Sequence, residues 1–478
     1  MSILDIFRRK RSIPAAEPSR TVGLSYEAVK SDRIRRQPYY STKSEDRELT
    51  ERERQLLISQ ARDALRNFTI AGFALRKHLQ SMSFYRFQAG TPDDGFNRRL
   101  EALVRRWKRR SNCDAAGRHN FDTLIGLIES HRAVDGDVGI LRLSNGKIQI
   151  VEGDRIRNPS GTDFDREEWV HGVKVNAYGR ALAYSIHKRK EFGGFEPERV
   201  VSAKNFDLLG FYTREDQIRG ESLMAPAVRF FQQLYDSIDL ALAKQRLEQA
   251  FGLAATLEDT SGFLPGSDTP EAAAAAEREN EFARRATDVF GPGIMTMTLR
   301  PGEDVKFLES QNPSQNFQSF CENVIRLVFA AFDIPYSFYD GSKTNFYGSE
   351  GEFEQYIDSV EKKQQPTIEM LNEWIVDWLL PNWILDGLID LPQGWTVEDI
   401  AADVGWMGAG MPSWRLFRNV KEILLALQSG LLPPSEIVGD YGYDIKRNLQ
   451  DIARLRQAAA ELGVSVPFGQ DTAQNVGL

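Results

Sequence analysis

Apolar residues recur at three- and four-residue steps along several stretches, and the longest such pattern lies between Asn312 and Gly387. Phe317, Phe320, Cys321, Val324, Ile325, Val328, Phe329 and Phe332 make one stripe, which predicts a helix. Asn312 and Pro313 suit its start. Asp333-Ile334-Pro335 suits its end, because the residue before proline avoids the α region. A polar loop follows from Tyr339 to Gly348. A second helix is predicted from Ser349, with Glu352 at the capping-box spacing and a stripe through Phe353, Tyr356, Ile357, Val360, Ile368, Leu371, Trp374, Ile375 and Trp378. Pro366 predicts a kink in that helix.

The rest of the chain reads as shorter helices and hairpins. Residues 1–50 predict an arm without a period of its own. Glu51 to Met82 predicts one helix, Phe96 to Arg110 a second and Phe121 to His131 a third. Asn145-Gly146, between Gly139–Leu143 and Lys147–Val151, predicts a hairpin. Val170–Val175 and Ala181–His187 predict another around Tyr178-Gly179. Ser222 to Phe251 predicts a long helix striped by Met224, Val228, Phe231, Leu234, Tyr235, Ile238 and Leu242. Its stripe fades past Ala241, as expected of a helix that packs on copies of itself. Glu271 to Arg285 predicts an alanine-rich helix, and Ile294–Leu299 and Val305–Glu309 predict strands around Pro301-Gly302. Thr396, Ser413 and Asp444 each open a helical segment, and Gly463 ends the last.

Charge changes the picture at the centre of the chain. From residue 312 to 387, Arg326, Lys343, Lys362 and Lys363 stand against twelve carboxylates, a net of −8, which equals the formal charge of all 478 residues. Acidity is therefore concentrated in this stretch, as on a surface that must not adhere to phosphate. Arg105-Arg106-Trp107-Lys108-Arg109-Arg110 is the opposite case, a basic run that either binds nucleic acid or solvates a helix end. Two cysteines, Cys113 and Cys321, exclude a disulfide framework, and five histidines form no zinc spacing with them. No run of eighteen apolar residues predicts a membrane span, and the order of residues 1–11 is wrong for a secretory signal. Asp135-Gly136-Asp137 and Glu152-Gly153-Asp154 have the residues of a metal or acid–base site, but they fall at strand ends, where turn chemistry is the better reading. No nucleotide-binding loop, nucleophile elbow or zinc-protease motif is present, so no cofactor, metal or catalytic residue is expected.

Several blocks in order resemble the lambda-type portal proteins of tailed phages. They are Arg62–Asn67, Val134–Asp137, Glu152–Pro159, Gly172–Val175, Tyr178–Tyr184, Gln217–Ser222, Pro301–Glu303, Ile334–Tyr336 and Phe346–Ser349. They span about Glu51 to Gly463. One departure is plain: the family usually has serine where Gly348 stands and a basic residue soon after, whereas Gly351-Glu352 follows here.

The resemblance implies an α+β multidomain fold: arm 1–50, α/β wing 51–217, first stem helix 218–251, small α/β clip 252–312, second stem helix 313–332, tunnel loop 333–348, long kinked helix 349–390, α-helical crown 391–464 and tail 465–478. It implies a dodecameric ring at a capsid vertex, built in the host cytoplasm, through which double-stranded DNA is packaged and ejected. Implied partners are copies of itself, terminase, a head–tail connector and the major capsid or scaffolding protein. Ser342, Lys343, Thr344 and Asn345 would face DNA in the tunnel loop. Phe231, Tyr235, Ile238, Phe320, Val324 and Val328 would pack the stem. The other class left open is a DNA-binding or DNA-processing protein that uses Arg105–Arg110.

Overall fold

In the computed structural model, which describes residues 43–159, 168–250, 253–257, 289–290, 294–295, 303–307, 315–343, 345–408, 423–431 and 445–464, the chain mixes helices with small antiparallel sheets. The predicted helix over 51–82 is two helices, Glu51–Asn67 and Thr69–Met82. Thr50 opens the first with a reciprocal capping box to Glu53. Phe68 breaks the pair because its ring turns inward, with centroids 4.5 Å from Tyr235 and 6.1 Å from Phe231. The Tyr235 hydroxyl accepts a hydrogen bond from Thr69 N at 2.7 Å, and so supplies the cap that the chain lacks there.

These two helices cover the helices Val228–Ala250 and Gln315–Ala330. The predicted start at Ser222 is corrected: Ser222 to Ala227 winds in turns around Pro226, and regular helix begins at Val228. Ala61, Ala64, Ala71 and Ala74 bring the helices close, and Met224, Phe231, Leu234, Val324, Val328, Phe329 and Phe332 fill the core between them.

A second core lies under Asp94–Trp107 and Phe121–Asp135, capped by Asp93 and Asn120. The first predicted hairpin forms: Asp137–Arg142 pairs antiparallel with Ile148–Glu152, and Phe206–Gly210 adds on the other side. Val170–Val175 is not one strand. Trp169–Val170 folds back on Val173–Val175 through His171 and Gly172, both at positive φ, and the Gly172 Cα lies against the backbone of Arg157, where a Cβ would come within 2.5 Å. Ala181–Arg189 and Phe195–Ser202 complete that four-stranded sheet.

Three further expectations are corrected. The long helix starts at Phe346 and not at Ser349: Asn345 is the cap, accepting from Gly348 N at 2.7 Å, while Glu352 accepts from the Ser337 hydroxyl instead of closing a capping box. It runs through Pro366 to Glu373 and continues as a π-helical turn, Trp374–Leu379. Proline removes one backbone donor, and the neighbouring Lys363 carbonyl accepts from buried Arg132 at 3.0 Å. The region from 391 is not wholly helical. After a short helix Val397–Ala401, capped by Thr396 as predicted, Val404–Gly408 pairs with Tyr85–Ala89, and Trp406 stacks on Phe121 at 4.9 Å. Lastly, Glu303–Phe307 pairs with Leu253–Leu257 and not across Pro301-Gly302, while Ile294–Met295 pairs with Val289–Phe290. The predicted helices at 271–285 and from Ser413, and the capping positions Asn312 and Pro313, lie outside the described residues.

His78 is buried in the helical core beside Phe211 and Phe332. Burial, reinforced by Lys363 and Arg132, pushes its pKa from 6.5 to about 3. A histidine kept neutral while the unfolded chain protonates stabilises the fold above the unfolded pKa, and that contribution is lost as pH falls from 6.5 toward about 3. His78→Leu should therefore flatten the acid limb of stability, by about 3 kcal/mol at about pH 4 relative to neutral pH. Urea midpoints at the two pH values check this; an acid limb as steep as that of the unaltered protein would refute it.

Candidate functional site

The two acidic motifs come together, and turn chemistry does not describe them. Asp135, Asp137, Glu152 and Asp154 converge where the Phe121–Asp135 helix, the three-stranded sheet and the approach to the Val228–Ala250 helix meet. Asp137 is fully buried. Arg219 grips it with two nitrogens at 2.7 Å, Arg54 bonds it at 2.8 Å, and Gly220 N donates at 2.9 Å. Burial works against the Asp137 carboxylate, but Arg219 and Arg54 outweigh it and hold its pKa below the usual range. Arg219 spends its remaining donors on the carbonyls of Gly153, Ile156 and His171. The chain crosses itself here so closely that a Cβ on Gly220 would lie 2.3 Å from the Gly136 carbonyl oxygen.

Alongside, Arg62 bonds Asp135 at 2.6 Å, Glu152 at 3.0 Å and Asp154 at 3.2 Å, and Arg189 bonds Glu152 and Asp154 at 2.5 and 2.7 Å. His131, Asp135 and Glu152 are the one group among the described residues whose ligand atoms lie close enough for a metal ion. The Arg62 guanidinium already bridges Asp135 and Glu152 and supplies the positive charge there, so the cluster is an ion-pair lattice. Arg54, Arg62 and Arg219 were missed in the sequence. The signal was present as two arginines eight residues apart on one helix and a third before Gly220.

The long helix carries the other feature. Tyr356, Val360, Gln364, Thr367, Met370, Leu371 and Trp374 are buried, whereas Glu354, Asp358, Glu361, Glu369, Glu373 and Asp377 are exposed along the opposite face. The stripe is about 35 Å long at 1.5 Å per residue. Its only basic members are Lys362, paired to Asp358 at 2.7 Å, and Lys363, which turns back to Asp333 at 2.7 Å and the Phe332 carbonyl at 3.0 Å. Burial works against the Asp333 carboxylate, but Lys363 and the Ser359 hydroxyl hold its pKa below the usual range. Asp333 has positive φ, so this contact stabilises the strained corner where the 315–330 helix ends. Glu373 is shifted upward, first by burial and then by Asp207 and Asp377, as expected where carboxylates crowd.

Of the expected loop residues, Ser342 and Asn345 are exposed and Asn345 caps the long helix; the Lys343 side chain and Thr344 lie outside the described residues. Of the expected stem residues, Phe231, Val324 and Val328 are buried within the single chain, and Tyr235 and Ile238 pack against the same core. Phe320 is 45% exposed, and Leu240 and Leu327 are more open still, at 71% and 52%. Arg105, Arg106, Arg109 and Arg110 are exposed, over a Trp107 that packs inward.

Residues 32–347 match the family described as phage portal protein, lambda family. The chain belongs to that family. A relative described as a probable portal protein, from Halomonas phage phiHAP-1, is 24% identical over 405 residues, covering 80% of this chain and 74% of its own. Among solved structures, the neck of an empty gene transfer agent particle gives a TM-score of 0.49 at 15% identity, covering 80% of this chain and 93% of that one. The neck of the native particle, computed with C12 symmetry, gives 0.48 at 14% identity over 81% and 93%. As a portal protein, the chain is a structural component of a phage particle. Among its described residues, no helix is long and apolar enough to cross a membrane.

Asp137 is the residue on which the junction's geometry turns. Asp137→Asn removes the charge but not the shape, and leaves Arg54 and Arg219 buried without a counter-ion. It should cost roughly 3–5 kcal/mol of stability, read as a lower urea midpoint. Lys188→Gln, which breaks the exposed Lys188–Glu196 pair, should leave the midpoint where it was. Equal midpoints for both variants would refute the assignment.

Proposed function

We propose that twelve copies of this portal protein form a ring at one capsid vertex, through which double-stranded DNA enters during packaging and leaves during ejection. The observation that carries this reading is the acid stripe of the 346–379 segment in a chain of the portal family. Repeated by ring symmetry, such a face repels phosphate and lets a duplex slide, where a basic lining would hold it through released counterions. In this reading 51–217 is the wing, 218–251 and 313–332 the stem, 252–312 the clip that docks terminase and later a head–tail connector, 333–348 the tunnel loop and 391–464 the crown. Assembly in the host cytoplasm, with the major capsid or scaffolding protein, belongs to the same reading. Negative-stain images of the purified protein test it: rings with a central hole are expected, and a population of monomers and dimers at high concentration would defeat it.

Burial within the chain separates two classes of stem residue. Leu240 and Leu327 are the most open of the exposed apolar side chains on these helices, so Leu240→Asp with Leu327→Asp should leave the subunit folded and reduce rings to smaller species. Phe231→Asp places a charge in the subunit's own core and should unfold it. Native mass spectrometry and circular dichroism distinguish the two; intact rings in the double variant would remove these helices from the subunit interface.

Lys343 is the one cation in the 333–348 segment. As a thin positive ring in a negative wall, it would grip phosphate weakly and hinder backsliding. Lys343→Glu should assemble normally and package shorter genomes. DNA length per particle is the readout, and full-length genomes would show that this lysine does not touch DNA.

A further inference from the structure

The basic run at the end of the Asp94–Trp107 helix has no part in the channel reading, and its structure is unusual. Phe96, Leu100, Val104 and Trp107 bury one face of this helix. The opposite face is a continuous arginine stripe: Arg98, Arg99, Arg105 and Arg106 are exposed around an exposed Ala102, and Arg109 and Arg110 extend it past the helix end. These residues fall one, two and three turns apart, so they share a face, and Arg98 to Arg106 spans about 12 Å. Among the described residues none of the six has a carboxylate partner. Arg98 and Arg105 bond back to the backbone carbonyls of Asp94 and Glu101, at 3.1 and 3.4 Å.

The contrast with neighbouring charges is sharp. Lys108, between them in sequence, turns away to Asp122 at 2.8 Å and over the Phe121 ring at 4.9 Å. Asp114 is buried and accepts from the backbone of Ala116, Arg118 and His119. Arginines elsewhere in the chain, such as Arg54, Arg62, Arg189 and Arg219, are consumed by carboxylates. The stripe is also held still. Trp107 Nε1 donates to the Gly146 carbonyl at 2.7 Å, and Asn112 Nδ2 donates to the Arg106 carbonyl at 2.8 Å, which fixes the turn that presents Arg109 and Arg110.

We propose that this stripe is a second DNA-binding surface, outside the channel, that takes the phosphate backbone of double-stranded DNA without regard to sequence. Unpaired guanidiniums on a rigid helix supply forked donors that match phosphate oxygens. Ala102 leaves the middle of the face low, so a backbone can approach the helix. The face carries no exposed apolar anchor, which a protein partner would need at the centre of its interface. Leu103, Trp383, Leu385 and Leu388 line a groove of about 480 Å³ together with Arg106. The channel in this inference is that of the proposed function, while the stripe's own support is its unpaired charges.

The test uses the full chain and a relaxed, covalently closed duplex circle, which cannot thread a ring and so reports contacts outside a channel. Arg98→Gln, Arg99→Gln, Arg105→Gln and Arg106→Gln are combined, and a charge-matched control changes the exposed Arg66, Arg76, Lys190 and Lys204 to glutamine. Affinity is followed against salt concentration. Each phosphate contact contributes roughly 0.9 to the slope of log K against log salt, so the stripe variant should show a slope shallower by about three to four. It should also bind at least about tenfold more weakly at about 0.1 M salt, while the control stays close to the unaltered protein. Equal losses in both variants would reduce the effect to net charge and overturn the proposal. So would an unaltered protein that ignores the circle but binds polyglutamate through these arginines, since the partner would then be an acidic protein.

Discussion

The architecture depends on one carboxylate that has no water to solvate it. Asp137 begins a central strand, and two arginines from distant parts of the chain, Arg54 and Arg219, converge on it. Their backbones must come close for the geometry to hold, which is why glycine stands at 136 and 220. The outcome is a rivet between the Glu51–Asn67 helix, the three-stranded sheet and the turn leading into the Val228–Ala250 helix. Replacing such a buried ionic cluster with apolar residues is often neutral or favourable, so net stability does not explain it. What it fixes is direction: Arg219 can satisfy Asp137 and three backbone carbonyls only if the 217–222 segment crosses the sheet at this place.

That constraint sets where the helices Val228–Ala250 and Gln315–Ala330 leave the body. Their inner faces are filled by the chain's own helices 51–67 and 69–82, so this core is complete within the single chain. Among the described residues, Leu240, Leu242, Phe320 and Leu327 are the large apolar side chains of these two helices that stay exposed.

Much of this was legible in the sequence, for physical reasons that differ by element. The Asn145-Gly146 hairpin and the stripe of the 315–330 helix rest on local chemistry, and both formed. Breaks and starts set by distant residues were not legible. Phe68 ends a helix because its ring is drawn toward Tyr235, 167 residues away, and Asn345 wins the cap because Glu352 is already engaged with Ser337. Asp135-Gly136-Asp137 and Glu152-Gly153-Asp154 read as turns because a turn and a buried ion pair use the same residues; only the arginines that meet them decide. The Val404–Gly408 strand was invisible for the same reason, since its partner lies more than 300 residues earlier.

Charge in this protein is therefore of three kinds, distinguished by partner and not by residue type. Around Asp137 the charges are paired and buried, and they specify the fold. Along the 346–379 segment the carboxylates Glu354, Asp358, Glu361, Glu369, Glu373 and Asp377 are exposed on one face; Glu373 is shifted upward, first by burial and then by Asp207 and Asp377. Like charges crowded on one face raise the energy of the folded chain, and a row of carboxylates keeps polyanions at a distance. Across the 94–110 segment the sign is opposite: among the described residues the buried arginines Arg54, Arg132 and Arg219 are paired with carboxylates, whereas these exposed ones are left open for a negative partner from outside.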